Sequence, residues 1–301
     1  MRFIRFSTVL MMLSAILAAA SLVAVITPGP RLSIEFTGGT LMEFALPEGK
    51  TRDDLLVALR SANAPLAESA VLSKTTTDTF FVRTQSLTNE EHLALFDGLS
   101  KAMGDGFQEL QFTTIGPSVG ASLRTRSIVA LVAASIAIVL YLAVMFRSMS
   151  RSVSSWSFGV AAIIAVMHDV LVTTGIFVVL SYTTSFQLDT LFVTALLSIM
   201  GYSVNDTIVI FDRIRDNLLL EGKRRPFADL AVDSLKQSLR RTLNTGVGAL
   251  IMLFALFLFG AESIRWFTLA LILGTVIGTY SSFFIATPLV VLWQQREASR
   301  R

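Results

Sequence analysis

The chain has 301 residues, of which 53% are hydrophobic and only 16% charged, and its mean hydropathy is +0.65. Soluble globular proteins carry about 25% charged residues, so the composition excludes an ordinary soluble domain and points to a protein largely dissolved in lipid. With no cysteine, disulfides, thiolate nucleophiles and Cys-based metal sites are excluded too. Formal net charge is +3, and its distribution says more than its size.

A hydrocarbon core of about 30 Å needs roughly 20 helical residues, and six runs qualify, near 7–27, 127–146, 156–180, 190–211, 243–260 and 266–292. The first allows two readings. Arg2 and Arg5, an apolar stretch, then Ala18, Ala19, Ala20 and Ser21 fit a secretory signal with a small-residue cleavage site. The apolar run continues to Ile26, however, longer than a usual signal core, which favours a retained helix.

Residues 29–126 form the one long polar-apolar stretch. RLSIEFTGGTLMEFAL (31–46) alternates like a strand, with a bulge or bend at Gly38-Gly39. TRDDLLVALRSAN reads as a helix capped by Thr51, with Asp53 and Asp54 at its positive end. ESAVLSK and TFFVRTQ flank a Thr-Asp turn as a hairpin, SLTNEEHLALFDGLSKAM is a second capped helix, and FQELQFTTI a last strand. The order β-α-β-β-α-β is the ferredoxin-like pattern, which hosts many functions and names none. His92 reads as a solvated surface histidine, and no metal ligand set accompanies it. Gly38-Gly39 lacks the context of a phosphate loop. Twelve acidic residues against nine basic ones argue against nucleic acid. A protein-contact module fits best.

Lys and Arg stay on the cytoplasmic side of membrane helices. Arg2 and Arg5 precede the first run, Arg147 and Arg151 fill the second connection, and the loop 212–242 holds eight basic residues, including Arg213, Lys223, Arg240 and Arg241. Arg296, Arg300 and Arg301 end the sequence, while 181–187 carries no charge. Both termini are therefore expected in the cytoplasm and residues 29–126 outside. The expected division is 1–28 for the N-terminus and first helix, 29–126 for the outer domain, 127–293 for helices two to six, and 294–301 for a cytoplasmic tail.

Charged groups inside membrane helices mark ion and proton paths more often than chance. Asp169 follows His168 midway along the third run, and Asn205 and Asp206 lie in the fourth. Helical spacing aligns Asp206, Ile210 and Arg213, and Arg240 or Arg241 could reach Asp206 from the fifth helix. A buried carboxylate must be paired, neutralised or hydrated, so Asp206 and Asp169 are candidates either for proton transfer or for structural hydrogen bonding. Gly274 and Gly278 form a GxxxG pair suited to close helix packing.

Several motifs together carry a resemblance: EFTGGT (35–40), IGPSVG (115–120), HDV (168–170), GYSVNDTIVIFDRIRDN (201–217), RRTLNT (240–245) and IRWFTLALILGTVIGTYSSFFIATPL (264–289). From the first helix to Leu292 the chain resembles the SecF branch of the SecD/SecF family, membrane subunits of the bacterial protein-export machinery. It departs from the family pattern at Ser33 and Glu35, where Gly and Asp are usual, and at Trp266, where Asp is common. The resemblance implies a polytopic α-helical membrane protein of the inner membrane. Its six transmembrane helices would make half of a resistance-nodulation-division (RND) type transporter, with the first helix retained and one periplasmic α+β ferredoxin-like domain.

It implies partnership with SecD, the SecYEG channel, YajC and a translocating polypeptide. No cofactor is implied; the proton-motive force is the energy source. Asp206 and Arg241 match the family's proton-pathway residues, with Asn205 and Asp169 beside them. Movement is expected to reach the outer domain through Gly38, Gly39, Gly116 and Pro117. Two other classes stay open on the residues alone: a half-transporter for small molecules or lipids, and an assembly subunit whose polar residues only bind helices together. An enzyme is disfavoured, since no nucleophile–base set appears.

Overall fold

A computed structural model describes residues 2–75, 78–145, 155–222 and 224–298. Arg147, Arg151, Lys223, Arg300, Arg301 and part of the expected Thr-Asp turn lie outside the described residues. The chain divides into two compact units, one made of 1–30, 130–180 and 191–301, the other of 31–129 and 181–190.

The first unit is helical. Helix α1 spans Arg2–Ile26. After the second unit's elements come the other long helices, α6 (Pro117–Met145), whose residues to 129 belong to the second unit, α7 (Ser155–Thr183), α8 (Thr190–Glu221), whose Thr190 does too, and α9 (Phe227–Phe259). The last span, Glu262–Glu297, is composite. A 3-10 turn at Glu262–Ile264 leads to α10 (Arg265–Ser281), a π-helical turn at Ser282–Ala286, and α11 (Thr287–Ala298). Among the described residues, six helices are long and apolar enough to cross a membrane.

Their environments differ. About half of α7, α8 and the last span is covered by protein, but little of α1, α6 and α9. The core shows why. Ala161, Ala162 and Ala165 form a small-residue stripe on α7, against which Met200, Val204, Phe211 and Ile214 of α8 pack with Phe283 and Val290. Small residues let helix backbones approach, which is how association is gained where lipid removes the hydrophobic drive.

The segment 212–242 is not a loop. Helix α8 continues into it to Glu221, and α9 takes up the rest from Phe227. Apolar positions Ile214, Leu218, Leu230 and Leu235 continue the helical period among the charges and are buried, so the pair remains a packed hairpin. Arg225 bridges Glu221 at 3.0 Å and Asp233 at 2.6 Å across the turn.

In the second unit, α2 (Ile34–Thr37) precedes β1 (Gly39–Ala45), α3 (Arg52–Ala62), α4 (Ala64–Ser69), β2 (Val71–Lys74), β3 (Phe80–Thr84), α5 (Asn89–Met103) and β4 (Gln108–Ile115). Sheet order β2-β3-β1-β4 with antiparallel neighbours is the ferredoxin-like arrangement. Met42, Phe44 and Val82 alternate onto the face covered by Leu55, Leu59, Leu95 and Leu99. Residues 34–37 are helical, not the strand expected. Ser33 accepts the Glu35 N–H as a cap, and Gly38 ends the turn at φ 75°. The bulge falls later, between Glu43 and Phe44. His92 is another correction. Helix α5 turns it onto the sheet, where it is buried, lies 2.9 Å from Glu109 Oε1, and stacks on Phe112.

Candidate functional site

Asp169 stands at the centre of α7, in an apolar helix that offers it no charge of its own. It is fully buried, and burial of a carboxyl without partners costs several kcal/mol. Three side chains answer. Ser203 Oγ of α8 donates to Oδ2 at 2.5 Å, Ser281 Oγ at the end of α10 donates to the same oxygen at 2.7 Å, and His168 Nδ1 lies 2.9 Å from Oδ1. Ser14 Oγ of α1 sits 2.6 Å from His168 Nε2. With Oδ1 accepting, Nδ1 carries the proton and Nε2 accepts from Ser14. The chain Ser14–His168–Asp169–Ser203/Ser281 therefore ties together α1, α7, α8 and α10.

Asp206 lies one turn along α8 from Ser203 and is 2% exposed. Thr279 Oγ1 of α10 donates to its Oδ2 at 3.2 Å. The expected ion pair with Arg241 is not formed. Among the described residues Asp206 pairs with no cation, and Arg240 and Arg241 are exposed on α9. Asn205, next in sequence, is exposed as well, because a step of 100° turns it off the buried face. Arg213 also leaves that face. Its Nε donates to Gln237 Oε1 at 2.6 Å, and the buried stripe runs instead through Ser203, Asp206, Thr207, Ile210 and Ile214.

The glycines decide how closely these groups meet. A Cβ on Gly274 would stand 2.2 Å from Ile199 Cδ1, and one on Gly278 3.2 Å from Ser203 Cβ and 3.7 Å from Asp169 Oδ2. Gly274 and Gly278 thus bring α10 against α8, as their spacing predicts, and Gly278 also leaves room for the Asp169 cluster. Gly175 does the same for α1, where a Cβ would meet Ser21 Cβ at 2.3 Å. Just beyond Ser281, the π-helical turn places Ser282 Oγ 2.8 Å from Thr207 Oγ1. Such turns, rare in helices, occur often at functional sites.

Within the second unit, Gly38 and Pro117 are brought together. A Cβ on Gly38 would lie 2.8 Å from Pro117 Cα, and one on Gly120 2.7 Å from Gly38 N. Gly39, at φ 128°, faces the Thr84 carbonyl oxygen, while Gly116 accepts from the N–H groups of Val119 and Gly120 and so starts α6.

Sequence reasoning missed the hydroxyls Ser14, Ser203, Thr279 and Ser281. A usable signal existed: Ser203 stands three residues before Asp206, and Thr279 and Ser281 follow closely on the Gly278 already singled out for packing.

Comparison with known proteins gives a consistent result. Residues 96–296 match the family described as protein export membrane protein SecD/SecF, C-terminal, and residues 23–46 match the SecD/SecF GG motif. A protein translocase subunit SecF from Thermobaculum terrenum is 39% identical over 280 residues, covering 90% of this chain and 87% of that one. A protein of the same name from Desulfurispirillum indicum is 35% identical, covering 98% and 92%. A crystal structure of SecDF, a translocon-associated membrane protein from Thermus thermophilus, superposes with a TM-score of 0.85 at 32% identity. That match covers 98% of this chain and 39% of the longer SecDF chain.

Proposed function

Because the chain belongs to the SecD/SecF family of protein export membrane proteins, we propose that it works as a SecF-type subunit of the bacterial Sec machinery. With a SecD partner, it draws on the proton-motive force to promote movement of secretory polypeptides across the inner membrane. The observation that carries this reading is the near full-length similarity to proteins named protein translocase subunit SecF. The Thermus SecDF, of which this chain matches about two fifths, supports a SecD-like partner for the remainder. Association with the SecYEG channel and YajC follows from the family, and the work done is transport rather than covalent catalysis. Basic residues concentrated at the α8–α9 turn support cytoplasmic termini and an outward-facing α+β domain.

In this mechanism Asp206 exchanges between the neutral acid, held by Thr279, and the anion. Among the described residues no cation stands beside Asp206, and Arg241 of α9 is the one the family resemblance offers the anion. Loading and unloading the carboxyl would then shift α9 relative to α8 and α10, a charge change biasing two packings. One proton crossing 100 mV releases about 2.3 kcal/mol, enough for a modest shift per cycle. Asp169 holds the bundle around that exchange.

The test replaces the native subunit with this chain or its Asp206→Asn form in depleted cells. Unprocessed secretory precursors are measured beside copurification of the SecD partner. The mutant is expected to assemble and let precursors accumulate. Normal clearance by the mutant would sink the proton reading.

A further inference from the structure

Between α7 and α8, residues 181–190 fold onto the start of the α+β domain, within one compact unit. Leu32 and Leu188 form a parallel bridge, in which Ser33 N–H donates to the Leu188 carbonyl at 2.9 Å and Leu188 N–H to the Arg31 carbonyl at 2.8 Å. Arg31 Nη1 donates to the Ser181 carbonyl at 3.4 Å, and its guanidinium lies 4.9 Å from the Tyr182 ring centre. Glu35 completes the joint. Its Oε2 accepts from Thr190 N–H at 2.8 Å and from Thr190 Oγ1 at 2.6 Å. Thr190 opens α8, so Glu35 satisfies one of the backbone donors that a helix start leaves without an intrahelical partner. Its negative charge sits at the positive end of that helix dipole.

We propose that Glu35 is a positioning residue for export: it fixes the outer end of α8 to segment 31–35, at the base of the α+β domain. Asp206 lies sixteen residues further along the same unbroken helix, about 24 Å at 1.5 Å per residue. The carboxylate sets where that helix begins, and so the register in which Asp206 meets Thr279. Glu fills this role because its reach from the one-turn helix α2 ends on the Thr190 amide and hydroxyl together. This inference rests on the export reading above.

The absence of native cysteine permits a clean test in the full chain. Bridge partners lie on strands about 4.8 Å apart, inside the 4.4–6.8 Å Cα range of disulfides, so Leu32→Cys with Leu188→Cys can staple the same joint. Export is measured in depleted membranes supplied with wild type, Glu35→Ala, or Glu35→Ala carrying the two cysteines, oxidised and then reduced. Glu35→Ala is expected to insert normally, judged by its amount in the membrane, and to lose most export. Oxidation of the stapled form restores export, and reduction abolishes it again.

Wild-type export by Glu35→Ala overturns the proposal. So does a staple that forms without restoring export, since the carboxylate would then act by something other than position. Failure of the two cysteines to cross-link removes the joint itself. An Asp206→Asn arm separates the two ideas: export retained there overturns the proton reading, whatever the Glu35 arms report.

Discussion

Asp169 accepts from Ser203 and Ser281 and touches His168, whereas Thr279 is the side chain that reaches Asp206. The same residue type is thus fully engaged at one site and lightly held at the other. Asn in place of Asp169 would present one acceptor oxygen instead of two: with that oxygen kept under Ser203 and Ser281, its amide meets His168 Nδ1, which itself donates. Leaving such a buried group unmatched costs about 1–3 kcal/mol, so Asp169→Asn should lower the melting midpoint of the purified chain in detergent. Asp206→Asn keeps an oxygen that can accept from Thr279 and should melt close to wild type while failing in export. Equal melting losses in the two variants would contradict this division of roles. Both carboxylates were legible in the sequence, because a charge inside an apolar run has no cheap explanation. Their hydroxyl partners were legible only through position beside Asp206 and Gly278, not through residue type. Most membrane Ser and Thr can satisfy themselves on the carbonyl four residues back, as Thr174 does on Val170 and Thr268 on Ile264, so residue type alone does not mark the few that turn to a partner.

Elements were legible where their ends carry chemistry. Thr51 with Asp54 and Thr88 with Glu91 close reciprocal capping boxes at the starts of α3 and α5, as the spacing predicts. Hydrogen bonds from Thr51 hold the Asp54 carboxyl below its usual range, and those from Thr88 do the same for Glu91. A depressed folded value means that each contributes stability above the unfolded pKa, near 4, and loses it as pH falls through the folded value. Acid should therefore loosen the starts of these helices first, and Thr51→Ala should flatten that part of the melting-versus-pH curve. An unchanged acid limb in Thr51→Ala would remove the cap from the explanation. Helix α2 was misread because SIEFT alternates like a strand, and one turn is too short for periodicity to decide. Contact across elements was legible at Gly274 through its spacing to Gly278. Its missing side chain predicts that Gly274→Ala, 2.2 Å from Ile199 Cδ1, costs about 1–3 kcal/mol by overpacking. Gly201→Ala, with nothing within 4 Å, should be neutral or gain about 0.5–1 kcal/mol from helix propensity. Thermal melting of the two variants side by side checks both.

At the scale of the molecule, the six spans were visible in hydropathy alone, but two boundaries moved for the same reason. Charges suggested a loop at 212–242 and a late start for the second span near 127, yet α8, α9 and α6 continue as helix through these polar stretches. Hydropathy reports where lipid ends; helix propensity and packing decide where the helix does. For α6 the extra turns carry it from Pro117, beside Gly38, into the apolar run without a break. Along that continuous helix, a change in the bundle is expected to arrive at the Gly38–Pro117–Gly120 contact. Gly38 meets two demands there. Its φ of 75° with ψ 167° lies where essentially only Gly is found, costing an L-residue about 1–3 kcal/mol, and a Cβ would lie 2.8 Å from Pro117 Cα, a backbone atom that cannot swing aside. Gly38→Ala should therefore displace the start of α6 from the sheet while the capped helices and apolar core of the domain remain. The expected signature is normal membrane insertion, faster protease cleavage near 116–120, and accumulated precursors in depleted cells. Gly49, also at positive φ but with nothing within 4 Å, is the control for conformational strain alone. If Gly38→Ala and Gly49→Ala export equally well, the close approach of Gly38 to α6 has no part in coupling, and the route to the domain runs elsewhere.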